Sequence, residues 1–264
     1  MSSPTSDAFD PYTQTVTLLM ADGVTPFNLT LQDIDSSNFY NEAHTITYAS
    51  QLGACLTMFF VVIILTKDSK RRNAIFILNV LSLLFGFLRT LLLALYFTSP
   101  WTLTYPSFSG DNALIPRSAY ATSIAGTVFP LLMTITVNLS LILQAHTVCS
   151  NLDNTYRYIV SGLSVVIFLL ATGFRFAQMV TNSLAIMTLQ TYFSKAWIQT
   201  GTLATETISI WFFSLIFTGK LGWTLYNRRR NGWKQWSGVR ILAAMGGCTM
   251  IIPCKYLLFV YKFI

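Results

Sequence analysis

Charge is what this chain has least of. Only 10% of its 264 residues are Asp, Glu, Lys or Arg, against roughly 25% in an ordinary soluble domain. With 53% hydrophobic residues, too few charges remain to cover a water-facing surface, which excludes a soluble globular domain. Histidine is nearly absent: His44 and His146 are the two. No His-Glu-x-x-His or similar ligand spacing occurs, so neither a metal site nor a metal cofactor is expected. An acid-rich or histidine-rich catalytic cluster is missing too, which argues against an enzyme. The four cysteines, Cys55, Cys149, Cys248 and Cys254, lie in apolar segments or at the edge of one, as buried thiols would, and propose no disulfide framework. The start, Met-Ser-Ser-Pro-Thr-Ser-Asp, lacks a basic n-region and an apolar h-region, so the first span is expected to direct insertion itself. No internal repeat relates two halves, as a transporter or channel-like protein, the alternative function class, would want.

What is present is a series of apolar runs near the ~20 residues that a helix needs to cross a bilayer. They predict spans over about 44–66, 73–97, 118–148, 157–180, 195–226 and 239–264. The first 43 residues are polar, acidic, free of Lys and Arg, and broken by Pro4, Pro11 and Pro26, which predicts a mostly irregular tail. The loops after spans one, three and five carry Lys67, Lys70, Arg71, Arg72, Arg157, Arg228, Arg229, Arg230, Lys234 and Arg240. The tail and the other loops carry only Arg117 and Lys195. Positive charge is retained on the cytoplasmic side, so the N-terminus is expected outside, in a multi-pass membrane protein. His44 and His146 then fall on opposite faces. Trp223, Trp233 and Trp236 are interleaved with the cations of the last basic loop, where indole rings settle at headgroup depth. A nucleic-acid patch of that composition belongs on a soluble domain, so the partner is the lipid bilayer and not nucleic acid. Asn28-Leu29-Thr30 is an acceptor sequence for N-glycosylation in an outer tail.

From span five onward the chain carries Arg228-Arg229, Gly232, Lys234-Gln235-Trp236, Ile241-Leu242, Met245, Cys248 and Pro253, preceded by Ile75-Phe76-Ile77-Leu78-Asn79, Ala94-Leu95-Tyr96-Phe97 and Leu143-Gln144. In this order the residues resemble the fungal α-factor-type mating pheromone receptors, a family of seven-span G-protein-coupled receptors. Each short match is weak alone, and their joint order from His44 onward makes the resemblance fairly specific. Two departures stand out: Ala94 to Phe97 matches with about one extra helical turn after Asn79, and the family's seventh span and cytosolic tail are not in the sequence. The resemblance implies an all-α membrane protein, a receptor helix bundle with six of the seven spans, expected to be a shortened form. It also implies a secreted peptide pheromone as ligand, a heterotrimeric G protein as partner, and no cofactor.

Polar side chains inside a span are costly and become the candidate functional residues. Asn79 and Gln144 match residues implicated in holding the family's resting state, and a direct hydrogen bond between them is expected to bias the receptor off. With Pro253, whose ring should kink span six, they form the expected activation switch. Glu206 and Lys255 lie at similar depths in consecutive spans, so an interhelical pair is expected, against the alternative that Lys255 extends to the interface. Arg89, Tyr96, Glu206 and Tyr261 are the expected ligand-binding residues. Arg175 and Gln178, near the outer end expected for span four, are explained by the same extension toward the interface. Arg71, Arg72, Arg228, Arg229, Arg230 and Lys234 are expected to face the G protein. Ala49 and Gly53 form a small-xxx-small pattern that lets helices approach closely, the candidate contact of a possible homodimer.

Overall fold

The computed structural model of the chain describes residues 10–111, 113, 115–149, 154–188 and 196–230, and of residues 196, 221 and 224–230 only the backbone. The tail expected to be irregular instead begins with two strands, β1 (Thr15–Leu19) and β2 (Pro26–Thr30), paired antiparallel with Thr17 opposite Asn28 and Val16 opposite Leu29. Both strands are rich in Thr and branched or aromatic residues, which suit a pleated surface. Asp22 makes the reversal: its carboxylate accepts from the amides of Val24 and Thr25 at 3.0 and 2.9 Å and from the Thr25 hydroxyl. Gly23 sits at φ +69°, a left-handed conformation open to a residue without Cβ.

Helix α1 (Leu31–Leu65) starts directly from the second strand, well before the expected start at His44. Thr30 is the cause. Its hydroxyl accepts from the Asp33 amide at 3.1 Å while the Asp33 carboxylate accepts from the Thr30 amide at 3.2 Å, so both ends of the first turn are satisfied reciprocally. The short α2 (Asp68–Arg71) turns the chain into α3 (Ala74–Phe97), which Asn73 caps by accepting from the Ile75 amide. After α4 (Thr104–Ser109) come α5 (Arg117–Cys149), α6 (Asn154–Thr188) and α7 (Ala196–Arg230).

Five of these helices, α1, α3, α5, α6 and α7, are long and apolar enough to cross a membrane. Helix α5 packs against α3, α6 and α7, while α1 lies chiefly on α3. In the N-terminal half of α1, Tyr40, His44 and Tyr48 present a ladder of rings, and Phe97 of α3 stacks on His44 and Tyr48 at 5.1 and 5.8 Å.

Much of the interior is built from small and hydroxyl-bearing residues, beside Leu131, Ile167, Ile198 and Phe213. Thr90, Thr134, Thr136, Asn138, Ser140, Ser164, Thr202 and Ser209 are all buried, while Phe60, Ile64, Leu65, Leu169 and Leu170 are exposed. Neighbours in sequence make the rule plain: Leu170 is 51% exposed and Ala171 fully buried. In lipid, large apolar side chains gain nothing by leaving the surface, and helix contacts are made by residues that let backbones approach or hydrogen-bond across. The all-α bundle expected from the sequence is therefore the observed architecture over five spans, with the added hairpin at its head; the sixth expected span, 239–264, lies outside the described residues.

Candidate functional site

Polar groups in the bundle interior fall at three depths along α5. Midway through the bundle, Arg175 of α6 brings Nε to 3.1 Å from Oε1 of Glu206 on α7. Both side chains are largely buried, and the approach is an ion pair without hydrogen-bond alignment, since Arg175 Nε has no hydrogen-bond acceptor. The Thr134 hydroxyl of α5 donates to the same Glu206 oxygen at 3.1 Å, and Arg175 Nη1 donates to Gln178 at 2.8 Å. Arg89 of α3 faces the same space, a cavity of about 140 Å³ that Val137, Asn138 and Ser209 help to line.

One turn further toward the C-terminal end of α5, Asn138 donates to the Thr134 carbonyl at 2.8 Å and accepts from the Ser209 hydroxyl of α7 at 2.5 Å. Closer still to that end, the Ser140 hydroxyl donates to Asn79 Oδ1 of α3 at 2.5 Å and accepts from Gln144 Nε2 at 2.9 Å. Asn79 and Gln144 are thus joined through Ser140, without the direct bond expected between them. The substitution of a three-member chain for a pair has a geometric cause. Ser140 lies one turn before Gln144 on the same face of α5, and its short side chain keeps its oxygen between the two amides.

Two features lie beside these groups. Pro130 sits inside the continuous α5 one turn before Thr134, where its ring removes a backbone donor. A proline inside a long apolar run is a sequence signal, and it belongs beside Pro253 in any reading of the spans. Gly201 brings α7 against α6: a Cβ there would lie 2.5 Å from the Phe174 ring, and Thr202 donates to the Phe174 carbonyl at 3.3 Å. That approach, one residue before Arg175, places its guanidinium within reach of Glu206.

The structure therefore brings Arg89 and Glu206 to one cavity, as the sequence reading groups them, and adds Arg175. Assigning Arg175 to the membrane interface is corrected by its ion pair. Helix α6 continues to Thr188, past the expected end at Val180, so Arg175 lies two turns deeper than the sequence placed it. Tyr96 is half-buried at the C-terminal end of α3, stacked edge-on against Phe97 at 5.3 Å, and does not line the cavity. Tyr261, Pro253, Lys255 and Lys234 lie outside the described residues, and with them the expected Glu206–Lys255 pair. The described partner of Glu206 is Arg175.

Arg71 folds back over the end of α1, donating to the carbonyls of Ile63 and Thr66 at 2.9 and 3.1 Å and pairing with Asp68 at 2.8 Å. Its cation serves the helix terminus, where it complements the macrodipole. Arg72 is exposed, and Arg228, Arg229 and Arg230 form the last described residues of α7. Ala49 and Gly53 sit on an exposed face of α1, with open space around a Cβ built at Gly53. Asn28 is exposed on β2 and accepts from the Thr17 hydroxyl at 2.8 Å. Among the described residues no group of His, Cys, Asp and Glu is arranged to hold a metal.

Among curated proteins none matches the chain significantly. The family described as fungal pheromone mating factor STE2 GPCR matches residues 9–263, nearly the whole sequence. The chain belongs to this family of fungal pheromone receptors, which are G-protein-coupled receptors and not enzymes.

Proposed function

We propose that the chain is the receptor for a secreted α-factor-type peptide pheromone, oriented with its N-terminus outside at the plasma membrane and coupled to a heterotrimeric G protein that drives the mating response. The observation that carries this reading is the cavity between α3, α5, α6 and α7, where Arg89, Arg175 and Glu206 meet among uncharged interior residues. Intramembrane charge is expensive and marks a working site. The peptide enters from the outer ends of the helices, past Tyr96 and Tyr261, and its contacts in the cavity change the packing of α5 and α7.

The change is transmitted along α5 to the Asn79–Ser140–Gln144 chain, which holds the resting arrangement, and Pro253 supplies the bend in the following span. Arg72, Arg228, Arg229, Arg230 and Lys234 form the surface offered to the G protein, and Arg71 shapes the turn beside them. The open face at Ala49 and Gly53 is the contact of a homodimer, and Asn28 carries a glycan. The bundle acts from residues 44–264, with the preceding segment outside.

The test is a dose response of yeast cells expressing the receptor, exposed to synthetic α-factor-type peptides, with a G-protein-dependent reporter as readout. A saturable response that Arg89→Ala weakens supports the reading; a receptor present at the surface and silent to every such peptide overturns it. In the same cells Asn79→Leu or Gln144→Leu raises the basal signal. An unchanged basal signal removes the polar chain from the switch.

A further inference from the structure

The cavity between α3, α5, α6 and α7 is out of charge balance. Two guanidinium groups, Arg89 and Arg175, line it against one carboxylate, Glu206. Guanidinium does not release its proton in proteins, so neutralisation does not relieve the excess. An excess charge in a bundle surrounded by lipid is costly, and such charges are normally paired. The sequence offers no second acid for the purpose: nothing from Thr207 to Ile264 is Asp or Glu. The remaining acids lie in the N-terminal segment up to Glu42 or at Asp68, Asp111 and Asp153, outside the helices that line the cavity.

Glu206 Oε1 is already engaged by Arg175 and Thr134. Arg89 has a buried Nε without a hydrogen-bond partner, and among the described residues no carboxylate stands within ion-pair distance of it. The space beside it, about 140 Å³, holds roughly four waters at ~30 Å³ each. It therefore accepts a halide or a single carboxylate group together with water.

We infer that this cavity is a monoanion site. Arg89 is its principal donor, Arg175 contributes a second guanidinium, and Glu206 is the built-in counter-ion that keeps the empty site at one positive charge instead of two. The shared chemistry is that of one negative charge on one or two small acceptor atoms, which planar guanidinium groups bind as charge-assisted hydrogen bonds. Two sources supply such a group: a free small anion, or a carboxylate carried by the peptide ligand. Only the second source rests on the reading of the cavity as the pheromone site.

The purified full chain in detergent, with naphthalene disulfonate, too bulky for the cavity, as the background anion at constant ionic strength, is titrated with chloride, with N-acetylglycine and with N-acetylglycinamide while thermal unfolding is followed. The site predicts a saturable rise in the midpoint of about 3 °C or more with at least one of the two anionic probes and none with the amide. Arg89→Gln weakens the half-saturating concentration by about tenfold or more. Glu206→Gln tightens it, because the cavity then carries both cations unopposed. That opposite sign separates an anion site from a variant that merely folds poorly.

Chloride acting alone identifies a free-anion site, and N-acetylglycine acting at lower concentration than chloride identifies a peptide carboxylate. An unfolding midpoint indifferent to both acidic probes, or a rise that persists unchanged in Arg89→Gln, overturns the proposal. Either anion effect stands independently of whether any peptide activates the G-protein reporter, so failure here and failure of the receptor reading are told apart.

Discussion

Helices α1 and α5 have similar lengths and opposite lives. Helix α1 buries none of its residues fully, touches chiefly α3, and turns large apolar side chains such as Phe60 and Ile64 outward. Helix α5 is surrounded by α3, α6 and α7, and the residues it buries include Thr134, Thr136, Asn138 and Ser140. Along α5 the exposure runs 5%, 36% and 2% at Asn138, Leu139 and Ser140, so the leucine faces out and the polar groups face in. In this bundle much of the interior is written in small and polar residues, with a few buried apolar groups such as Leu131 and Phe213, and most apolar bulk lies on the outer surface.

The comparison is broken most severely at Glu206. Glu206→Leu leaves the Arg175 cation buried without its partner, and removal of one member of a buried pair costs about 3 kcal/mol or more. The expected result is a large fall in the unfolding midpoint of the detergent-solubilised receptor. A midpoint within a degree of the parent would mean that Arg175 is solvated and the ion pair unimportant.

Glycine substitutions sharpen the contrast, since the same change should have opposite signs on the two sides of the bundle. Gly201→Ala drives a Cβ into the Phe174 ring of α6 and destabilises by about 2 kcal/mol, as overpacking does. Gly53→Ala on α1 meets nothing and gains up to about 1 kcal/mol from the lost flexibility of glycine. Thermal unfolding of the two variants side by side checks the pair; equal effects would erase the distinction between the helices. Gly53→Ala also reduces energy transfer between labelled receptor copies if the exposed face is the dimer contact.

The smallest effect lies outside the bundle, in the hairpin turn. The Thr25 hydroxyl and the amides of Thr25 and Val24 hold the Asp22 carboxylate below its ordinary pKa. A depressed folded-state value contributes stability above the unfolded pKa and loses it as pH falls through the folded one. The turn should therefore loosen below about pH 4, seen as faster amide exchange at Val24 and Thr25, with the bundle unaffected. Asp22→Asn should remove the pH dependence; exchange still accelerating in that variant would place the titrating group elsewhere.

How much of this was legible beforehand depended on the kind of signal. Long apolar runs and their flanking cations identify membrane helices because bilayer thickness sets the length and lipid sets the composition. Thr30-Leu31-Gln32-Asp33 carried the start of α1 as a capping box, masked by the acidic surroundings that suggested an irregular tail. Arg89 and Glu206 stood out because each is an ionisable residue within a span. Arg175 stood out equally, and was misplaced because the apolar stretch weakens near Val180 while the helix runs on to Thr188. Helix ends follow hydrogen bonding, and hydropathy does not report them. Ser140 was illegible as a bridge, since a serine in a span is ordinary and its importance comes only from lying between Asn79 and Gln144.

That serine gives the polar chain a direction. Gln144 donates to Ser140, and Ser140 donates to Asn79, so the two amides are chemically unequal: one serves through its NH2, the other through its carbonyl. An acid of the same shape fits only one end. Asn79→Asp still offers the oxygen that Ser140 seeks, whereas Gln144→Glu in its ionised form presents an acceptor to an acceptor and severs the relay. Isosteric exchanges at these two positions should therefore divide into one that preserves the resting receptor and one that releases it, a polarity encoded by the orientation of a single hydroxyl.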